Sequence, residues 1–261
     1  RYIRIDQDEV HTLQQEFLIN VTHFFRDPEA FDELKANVIP HIVKNKKAYE
    51  QIRIWIPACS TGQEAITIAI LFKEYLEKHN LSNPIKIFAS DIDKTAIAIA
   101  GEATYDANLL AQIPGDILKK YFDPIDSDAA KFSLVKSLRE NIVYVTHDSI
   151  YDPPFINMDL VSCRNMMIYL NPSIQKDLLT NFQFALNFLG FLFLGPSESL
   201  GTVKDAFSVI NSKWNIYKKI VEQKPLPFSK EHTGKFIYKP DHTKNKRINP
   251  VPRRPSTHQE N

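Results

Sequence analysis

Residues 52–69 read Ile-Arg-Ile-Trp-Ile-Pro-Ala-Cys-Ser-Thr-Gly-Gln-Glu-Ala-Ile-Thr-Ile-Ala, and this stretch decides the fold of the chain. Isoleucines at 52, 54 and 56 are typical of a short buried strand. A small polar turn ending at Gly62 follows, and apolar residues then recur at helical spacing. A strand that passes through a glycine turn into a helix is the first half of a βαβ unit. Such a turn exposes backbone N–H groups at a helix N-terminus, where open α/β sheets bind their ligands.

Two common nucleotide motifs do not fit this turn. It has one glycine where the dinucleotide fingerprint needs three, and no Gly-Lys-Ser/Thr follows as in a P-loop. Strand–glycine–helix turns also occur for packing reasons. On these residues alone, a nucleotide-like ligand and a purely structural turn both remain open.

The next predicted strand, 85–89, leads into Ser90-Asp91-Ile92-Asp93. An acid at the end of the second strand of such a sheet is placed to accept hydrogen bonds from ribose hydroxyls. Aspartate is also a good helix N-cap, and a helix is predicted from residue 94 to 100. Both roles can hold, with Asp93 as the cap and Asp91 as the ribose acceptor.

Composition limits the class of protein. The chain has 261 residues, of which 43% are hydrophobic and 24% charged, so it can bury a sizeable core. Its two cysteines, Cys59 and Cys163, end predicted strands and suggest a reducing, cytoplasmic compartment. We see no signal peptide and no apolar run long enough to span a membrane, so membrane insertion is not expected. The residues indicate no metal site.

The last part of the chain differs in charge from the rest. Residues 224–261 hold nine Lys or Arg against three Asp or Glu, which is +6, so the remainder carries −5 of the net +1. Six of the 16 prolines also lie there. We predict that 222–261 is an extended linker or a disordered tail. It lacks a dense basic block, so nucleic-acid binding is not expected.

The N-terminal part predicts two helices, at 8–19 and at 29–44 with Pro28 in the first turn. The connection between them carries Asn20, Thr22 and Arg26 around two phenylalanines. These polar residues are free to face a cleft, although Asn20 or Thr22 could instead cap a helix.

The middle of the chain departs from simple βα alternation. We predict a short helix at 114–122 and strands at 131–135 and 142–146, whose connection is too short for a βαβ crossover. Residues 121–146 are therefore interpreted as a small antiparallel insertion standing on the sheet. It could recognise a partner or only shield an edge.

The remaining elements complete a sheet. A buried strand at 159–163 is followed by Arg164 and Asn165, which point toward the ligand crevice of a parallel sheet. We predict a helix at 172–189, a strand at 190–195, and a closing antiparallel pair at 207–210 and 213–219.

Five motifs occur in one order along the chain: Asn-Val-Thr-x-Phe-Phe-Arg-Asp-Pro from residue 20, Trp-x-Pro-Ala-Cys-Ser-Thr-Gly-x-Glu from 55, Ala-Ser-Asp-Ile-Asp from 89, Ser-Cys-Arg-Asn-x-x-Ile-Tyr from 162 and Leu-Gly-Pro-Ser-Glu from 194. Over about residues 8–221 they resemble the CheR family of S-adenosylmethionine-dependent glutamate O-methyltransferases that act on bacterial chemoreceptors. The sequences at 152–155 and 195–201 look most like the CheR domain of CheB–CheR fusion proteins.

The resemblance implies an α/β fold with a Rossmann-like class I methyltransferase sheet and helices on both faces. Residues 1–45 would be the remnant of an N-terminal helical subdomain, and 46–221 the S-adenosylmethionine-binding domain with its insertion at about 121–146. Positions that match the family's cofactor site are Asn20, Thr22, Arg26, Gly62, Glu64, Asp91, Asp148, Ser149, Arg164 and Asn165.

The family also implies a pair that positions the substrate carboxylate, here Arg26 and Tyr169. Tyr169 could instead be a core aromatic next to a strand. Members that tether to a receptor tail do so through a glycine-bearing loop in the insertion. Residues 121–146 contain no glycine, which argues against that tether.

The implied function is methyl-ester formation on glutamate side chains of a chemoreceptor or receptor-like protein, with CheB-like and sensor domains in the same polypeptide. Two alternatives stay open: a methyltransferase of the same fold that acts on another carboxylate, and a cofactor-binding interaction module with little turnover.

Overall fold

A computed structural model describes residues 22–125 and 128–222, with the side chains of 128 and 129 excepted. The predicted helix at 8–19, Asn20 and all but the first residue of the predicted tail lie outside the described residues. None of the helices in the described ranges has the length and apolar character needed to cross a membrane.

Helices and strands alternate through most of the described chain. The α-helices are α1 (Pro28–Glu33), α2 (Ile39–Lys44), α3 (Gln63–Lys78), α4 (Lys94–Glu102), α5 (Ala107–Leu110), α6 (Gly115–Tyr121), α7 (Lys136–Arg139) and α8 (Pro172–Ala185). The strands are β1 (Ile52–Pro57), β2 (Ile85–Asp91), β3 (Thr104–Asp106), β4 (Phe122–Ile125), β5 (Asp128–Leu134), β6 (Ile142–Thr146), β7 (Met158–Cys163), β8 (Leu186–Leu194), β9 (Phe207–Asn211) and β10 (Ile216–Lys219). Short 3₁₀ helices span Met167–Tyr169 and Gly201–Ala206.

The main sheet has seven strands in the order β6-β2-β1-β7-β8-β10-β9. Strands β6, β2, β1, β7 and β8 pair in parallel, and β10 is antiparallel to both β8 and β9. The chain moves outward from β1 through β2 to β6, then returns to β7 on the other side of β1. The strand order therefore reverses between β1 and β7, and such sheets bind their ligands in the crevice at that point.

Strand β1 shows why the sheet is buried on both faces. Ile52, Ile54 and Ile56 point into a core shared with α1–α3, whereas Trp55 points into a second core beneath α8. Successive side chains of a strand face opposite sides, so the alternating pattern divides the strand between the two cores. The predicted α/β fold with helices on both faces is confirmed.

Helices α1 and α2 form one rod with a π-helical turn, Leu34–Val38, between them. Pro40 is the second residue after this turn and has no N–H with which to continue the i→i−4 ladder. One wider turn accommodates the missing donor. The helix predicted at 29–44 is confirmed, with this irregularity inside it.

The prediction of an antiparallel insertion at 121–146 is correct in kind and wrong in extent. A separate three-stranded antiparallel sheet has the order β3-β5-β4. However, β6 pairs in parallel with β2 and forms the edge of the main sheet. The crossover from β2 to β6 includes α4 and the whole small sheet, so the short connection between β5 and β6 did not exclude a parallel β6.

The helix predicted at 172–189 ends earlier, at Ala185. Leu186 has extended dihedral angles and pairs with Met158, so β8 begins four residues before the predicted strand. A register shift between β7 and β8 accommodates Leu189, whose φ is 63°. The apolar run 186–189 therefore continues the sheet and not the helix.

Candidate functional site

A cavity of ≈ 280 Å³ opens at the carboxyl ends of β1, β2 and β7, where the strand order reverses. Its walls come from five segments of the chain: Thr22 and Arg26; Ala58, Cys59, Ser60 and Glu64; Asp91 and Ile92; His147, Asp148, Ser149 and Ile150; Arg164, Asn165, Met166, Tyr169 and Leu170. The structure thus brings together nine of the predicted site residues.

The turn after β1 forms the floor of the cavity. Ala58, Ser60 and Gly62 all have positive φ angles, of 52°, 50° and 93°. The backbone N–H of Ser60 donates to Asp91 Oδ2 at 2.8 Å, which ties the turn to the end of β2. Strained, well-tied backbone of this kind is typical of ligand sites.

Gly62 itself does not line the cavity, unlike its predicted role. A Cβ at this position would lie 2.8 Å from the Tyr144 hydroxyl oxygen and 3.2 Å from Ala100 Cβ. The glycine is required by its left-handed φ and by this close packing. The cavity is lined instead by the three residues Ala58, Cys59 and Ser60.

The two aspartates at the end of β2, Asp91 within it and Asp93 after it, have the different roles that the sequence allowed. Asp93 caps α4, because its Oδ1 accepts from the N–H groups of Thr95 and Ala96 at 2.8 and 3.2 Å. Asp91 accepts from the Asp93 N–H at 2.9 Å and also faces the cavity. Burial raises the pKa of Asp91. Each carboxylate oxygen can accept more than one hydrogen bond, so Asp91 keeps acceptor capacity toward the cavity.

Glu64 lies in the first turn of α3, where the helix dipole favours a negative charge. Its Oε1 accepts from the Ser162 hydroxyl at 2.7 Å, and its Oε2 is 3.7 Å from Arg164 Nη1. Burial raises the pKa of Glu64, while Arg164 and the Ser162 hydrogen bond act in the opposite direction. A partly compensated acid at a cavity wall is suited to a cationic ligand group.

Arg164 is buried to 1% side-chain exposure and mostly contacts protein. Its Nη2 is 2.6 Å from Asp27 Oδ2, and its Nη1 donates to the Arg26 carbonyl at 3.0 Å. The guanidinium also packs over the rings of Phe31 and Phe193, at 5.0 and 4.8 Å. Arg164 therefore fixes the loop that carries Thr22 and Arg26, in addition to lining the cavity.

That loop, residues 22–27, is itself strained. Phe25 and Asp27 have φ angles of 51° and 60°, although neither is glycine. Phe24 is fully buried, and the Phe25 N–H donates to Thr67 Oγ1 on α3 at 3.2 Å. These anchors leave Thr22 and Arg26 at the cavity.

The wall that contains Asp148 and Ser149 is a tight turn. Asp148 Oδ1 accepts from the N–H groups of Ile150 and Tyr151 at 2.9 and 3.2 Å. Asn181 on α8 donates through Nδ2 to the carbonyls of Ser149 and Ile150, at 3.2 and 3.3 Å. Two hydrogen bonds from a neighbouring helix thus hold this wall in place.

The wall formed by residues 165–170 depends on Glu198. Its carboxylate accepts from the backbone N–H groups of Gly195 at 2.6 Å, Met167 at 2.7 Å and Asn165 at 3.1 Å. Asn165 adopts a φ of 60° in this arrangement. Tyr169 is 61% exposed at the cavity mouth, so its interpretation as a core aromatic is wrong.

Several buried polar atoms of the cavity residues have no hydrogen-bond partner. They are Ser60 Oγ, His147 Nδ1, Arg164 Nε and Asn165 Oδ1. Buried polar groups in proteins are nearly always paired, and unpaired ones call for an explanation. Their concentration around one cavity is the pattern expected of a polar ligand site.

The sequence alone did not identify the residues that hold the cavity-lining residues in place through hydrogen bonds or an ion pair. These are Asp27, Ser162, Asn181 and Glu198. Ser162 had a local signal, because it is a hydroxyl in a mostly apolar strand. Glu198 lies in one of the quoted motifs, but nothing local indicated that it accepts three backbone N–H groups.

Comparison with protein families gives a match over residues 20–216 to the family described as "CheR methyltransferase, SAM binding domain". The matched range includes every predicted site residue. It contains the turn after β1 that forms the cavity floor and the segments that form the walls.

Individual proteins are also similar. An "Uncharacterized 104.1 kDa protein in hypE 3'region" of Rhodobacter capsulatus is 33% identical over 256 residues, covering 98% of this chain and 25% of that protein. The "Chemotaxis protein methyltransferase" of Borreliella burgdorferi is 32% identical over 186 residues, covering 69% of this chain and 65% of that protein. The chain thus spans less than two thirds of either relative. Among solved structures, the glycopeptide N-methyltransferase MtfA complexed with (S)-adenosyl-L-methionine matches with a TM-score of 0.33 and 11% identity, over 60% of this chain and 49% of that chain.

Proposed function

Because the chain belongs to the CheR methyltransferase family, we propose that it forms methyl esters on glutamate side chains of chemoreceptors or receptor-like signalling proteins. One observation carries the proposal. Arg26 and Tyr169 come from segments far apart in the sequence and line the same cavity, whose inner wall holds Glu64 and Asp91.

The inner wall suits S-adenosylmethionine. In the proposed binding mode, Asp91 accepts from the ribose hydroxyls, Asp148 and Ser149 contact the adenine, and Glu64 meets the ammonium group of the methionine part. Support comes from the carboxylates at the cavity surface and from the unpaired buried polar atoms beside them.

Residues that complete the proposed cofactor site are Thr22, Arg26, Arg164 and Asn165, together with Asn20, which lies outside the described residues. Gly62 contributes through the conformation of its turn and not by contact.

The acceptor side needs orientation more than acid–base chemistry. A glutamate carboxylate has a reference pKa near 4.3 and is already an ionised nucleophile at neutral pH. When bound, S-adenosylmethionine supplies a methyl group activated by its sulfonium. Arg26 holds the acceptor carboxylate by parallel N–H···O bonds, and the Tyr169 hydroxyl shares its orientation. Apolar wall residues such as Met166 and Leu170 keep water away from the reacting groups.

Two arginines line the cavity, and their burial favours Arg26 for this role. Arg164 is 1% exposed and is committed to Asp27 and to the Arg26 carbonyl. Arg26 lies at the cavity and is half-buried. A cation near the positive sulfonium is tolerable mainly when a substrate carboxylate lies between the two.

We further propose that the full-length protein links this domain to CheB-like and sensor domains. The support is the Rhodobacter relative, in which the region similar to this chain is one quarter of a 104.1 kDa protein.

The function is tested with S-adenosylmethionine labelled in its methyl group and bacterial membranes that contain receptors. Label on receptor-sized protein should be released as methanol by alkali, because carboxyl methyl esters are base-labile and N-methyl groups are not. Base-stable label, or label on small molecules alone, would contradict glutamate methylation. Binding of S-adenosylhomocysteine without any transfer would favour the interaction module.

Variants of the acceptor pair test the mechanism. Arg26→Ala should lower turnover by about 10²–10³ and affect cofactor affinity far less, because an oriented charge-assisted contact is lost. Arg26→Lys should restore little, since a point charge cannot reproduce the guanidinium fork. Tyr169→Phe should cause a smaller loss. Calorimetry with S-adenosylhomocysteine runs in parallel, and an equal loss of affinity and turnover in Arg26→Ala would make Arg26 a cofactor ligand only.

A further inference from the structure

Ser162 is a hydroxyl residue buried in the centre of the main sheet. It is 0% exposed and lies on β7, which is flanked by β1 and β8. On the β8 side it pairs with Phe193. Its Oγ donates to Glu64 Oε1 at 2.7 Å, across 98 positions of sequence. We propose that Ser162 is a positioning residue, whose hydroxyl fixes the Glu64 carboxylate so that this carboxylate serves the ammonium group of the cofactor. The inference rests on the proposed cofactor site.

The geometry assigns the two oxygens of Glu64 to different tasks. Oε1 is occupied by the Ser162 hydroxyl, and Oε2 lies on the side of Arg164 at 3.7 Å. That distance is too long for a direct hydrogen bond, so Oε2 keeps acceptor capacity. The Glu64 side chain retains 15% exposure at the cavity, which makes the carboxylate accessible to a ligand.

The groups around Glu64 act on its pKa in opposite directions. Burial raises its pKa and so does Glu198, whereas Arg164, the Ser162 hydrogen bond and Arg26 lower it. Removing one of the few stabilising contacts shifts the balance toward the protonated acid. A neutral acid loses the charge attraction for an ammonium group that the carboxylate provides.

Two thiols complete the surroundings of Glu64. Burial raises the pKa of Cys59 and of Cys163 well above the usual thiol range, so both are neutral near pH 7. They do not titrate where Glu64 does. Asp91, whose pKa burial also raises, faces the ribose in the proposed site and so affects every nucleoside ligand alike. A pH dependence confined to ligands with the amino-acid part should therefore follow Glu64.

A purely structural serine would behave differently. A hydroxyl that only satisfies its own hydrogen bond would alter stability, and it would weaken all ligands of the cavity alike. The proposed role instead predicts an effect confined to ligands that carry the amino-acid group, with a dependence on pH.

The experiment compares two ligands by calorimetry. S-adenosylhomocysteine carries the α-ammonium and α-carboxylate groups of its amino-acid part, and 5′-methylthioadenosine is the same nucleoside thioether with a methyl group in place of that part. Ser162→Ala should bind S-adenosylhomocysteine about tenfold more weakly than the wild type at neutral pH, which is the usual range for a lost hydrogen bond to a charged group. Its affinity for methylthioadenosine should be unchanged.

The pH profile gives a second readout. Affinity for S-adenosylhomocysteine should fall as the pH is lowered through the pKa of Glu64, and this fall should begin at a higher pH in Ser162→Ala than in the wild type. Ser162→Thr keeps the hydroxyl and should restore most of the affinity. If Ser162→Ala does not fold, Ser162→Cys, a weaker donor of similar size, provides the same comparison.

An equal loss for both ligands, or an unchanged affinity for S-adenosylhomocysteine, would overturn the role of Ser162. A wild-type protein that binds neither nucleoside would instead refute the proposed cofactor site, and with it the premise of this inference. The two failures are therefore distinguishable.

Discussion

Glu198 is the side chain on which the acceptor side of the cavity depends, and Glu198→Gln tests this directly. Its two carboxylate oxygens accept three backbone N–H groups: Gly195 and Asn165 at Oε2, and Met167 at Oε1. The residue is 6% exposed, so water cannot replace a lost acceptor. Glutamine has the same shape but only one acceptor oxygen, and its NH₂ group would face an N–H donor.

The distances set the magnitude. Two of the three bonds, at 2.6 and 2.7 Å, have the short length of charge-assisted hydrogen bonds. Each such bond contributes about 1.5–3 kcal/mol. Glutamine can keep the hydrogen bonds at only one of the two oxygen positions of Glu198. We expect a loss of about 2–4 kcal/mol in the free energy of unfolding, which for a domain of this size is roughly 4–16 °C in Tm.

The assay is thermal and urea unfolding of the wild type, Glu198→Gln and the control Glu102→Gln. Glu102 is an exposed glutamate at the end of α4, so its change should leave Tm nearly unaltered. Affinity for S-adenosylhomocysteine should also fall in Glu198→Gln, because Asn165 loses its anchored backbone. A Tm for Glu198→Gln equal to that of the control would refute the claim that this carboxylate holds the wall.

Three further changes follow from the contacts of the site. Gly62→Ala should lower Tm, because φ is 93° and the new Cβ would lie 2.8 Å from the Tyr144 hydroxyl oxygen. The control Gly101→Ala should not lower Tm, because no atom lies within 4 Å of the position of its Cβ. Glu64→Gln should leave the Tm of the ligand-free protein equal or higher at about pH 8 while weakening S-adenosylhomocysteine. Burial raises the pKa of Glu64 in the folded protein above its value in the unfolded chain. The ionised carboxylate therefore destabilises the fold at any pH above the unfolded pKa, and a lower Tm for Glu64→Gln would contradict this expectation. Asn181→Asp should weaken S-adenosylhomocysteine and methylthioadenosine equally, as measured by calorimetry, because it loses the donor to two wall carbonyls; a loss for one ligand only would be inconsistent with that role.

Most of the fold was predictable because its signals are local. Alternating isoleucines in β1, a glycine turn and a helical repeat fix the first βα unit within residues 52–69. The position of β6 was not predictable in this way. Its partner β2 lies beyond α4 and the small sheet, and no local pattern separates an edge strand of one sheet from a strand of the other.

The site residues likewise fall into those with a local signal in the sequence and those without one. Residues at the ends of strands, such as Asp91 and Arg164, could be placed because parallel strands share one carboxyl edge. The contacts of Ser162 with Glu64 and of Glu198 with three N–H groups join distant parts of the chain. Such partners come together only in the folded chain. The residues that hold the cavity wall in place could therefore be identified only from the structure.

The two arginines illustrate why this matters for the mechanism. The resemblance gives Arg26 a role at the substrate carboxylate and Arg164 a role at the cofactor only, but nothing local in the sequence separates the surroundings of the two cations. In the fold, Arg164 is enclosed by Asp27 and by two phenylalanine rings, at 1% exposure. Removing a buried, paired cation leaves its partner charge without compensation, which is costly. Arg164→Ala would therefore release the loop that carries Arg26, and lower cofactor affinity in that variant would combine the displaced loop with the lost contact of Arg164 itself. Of the two arginines, only Arg26 therefore allows binding of the acceptor to be separated from binding of the cofactor.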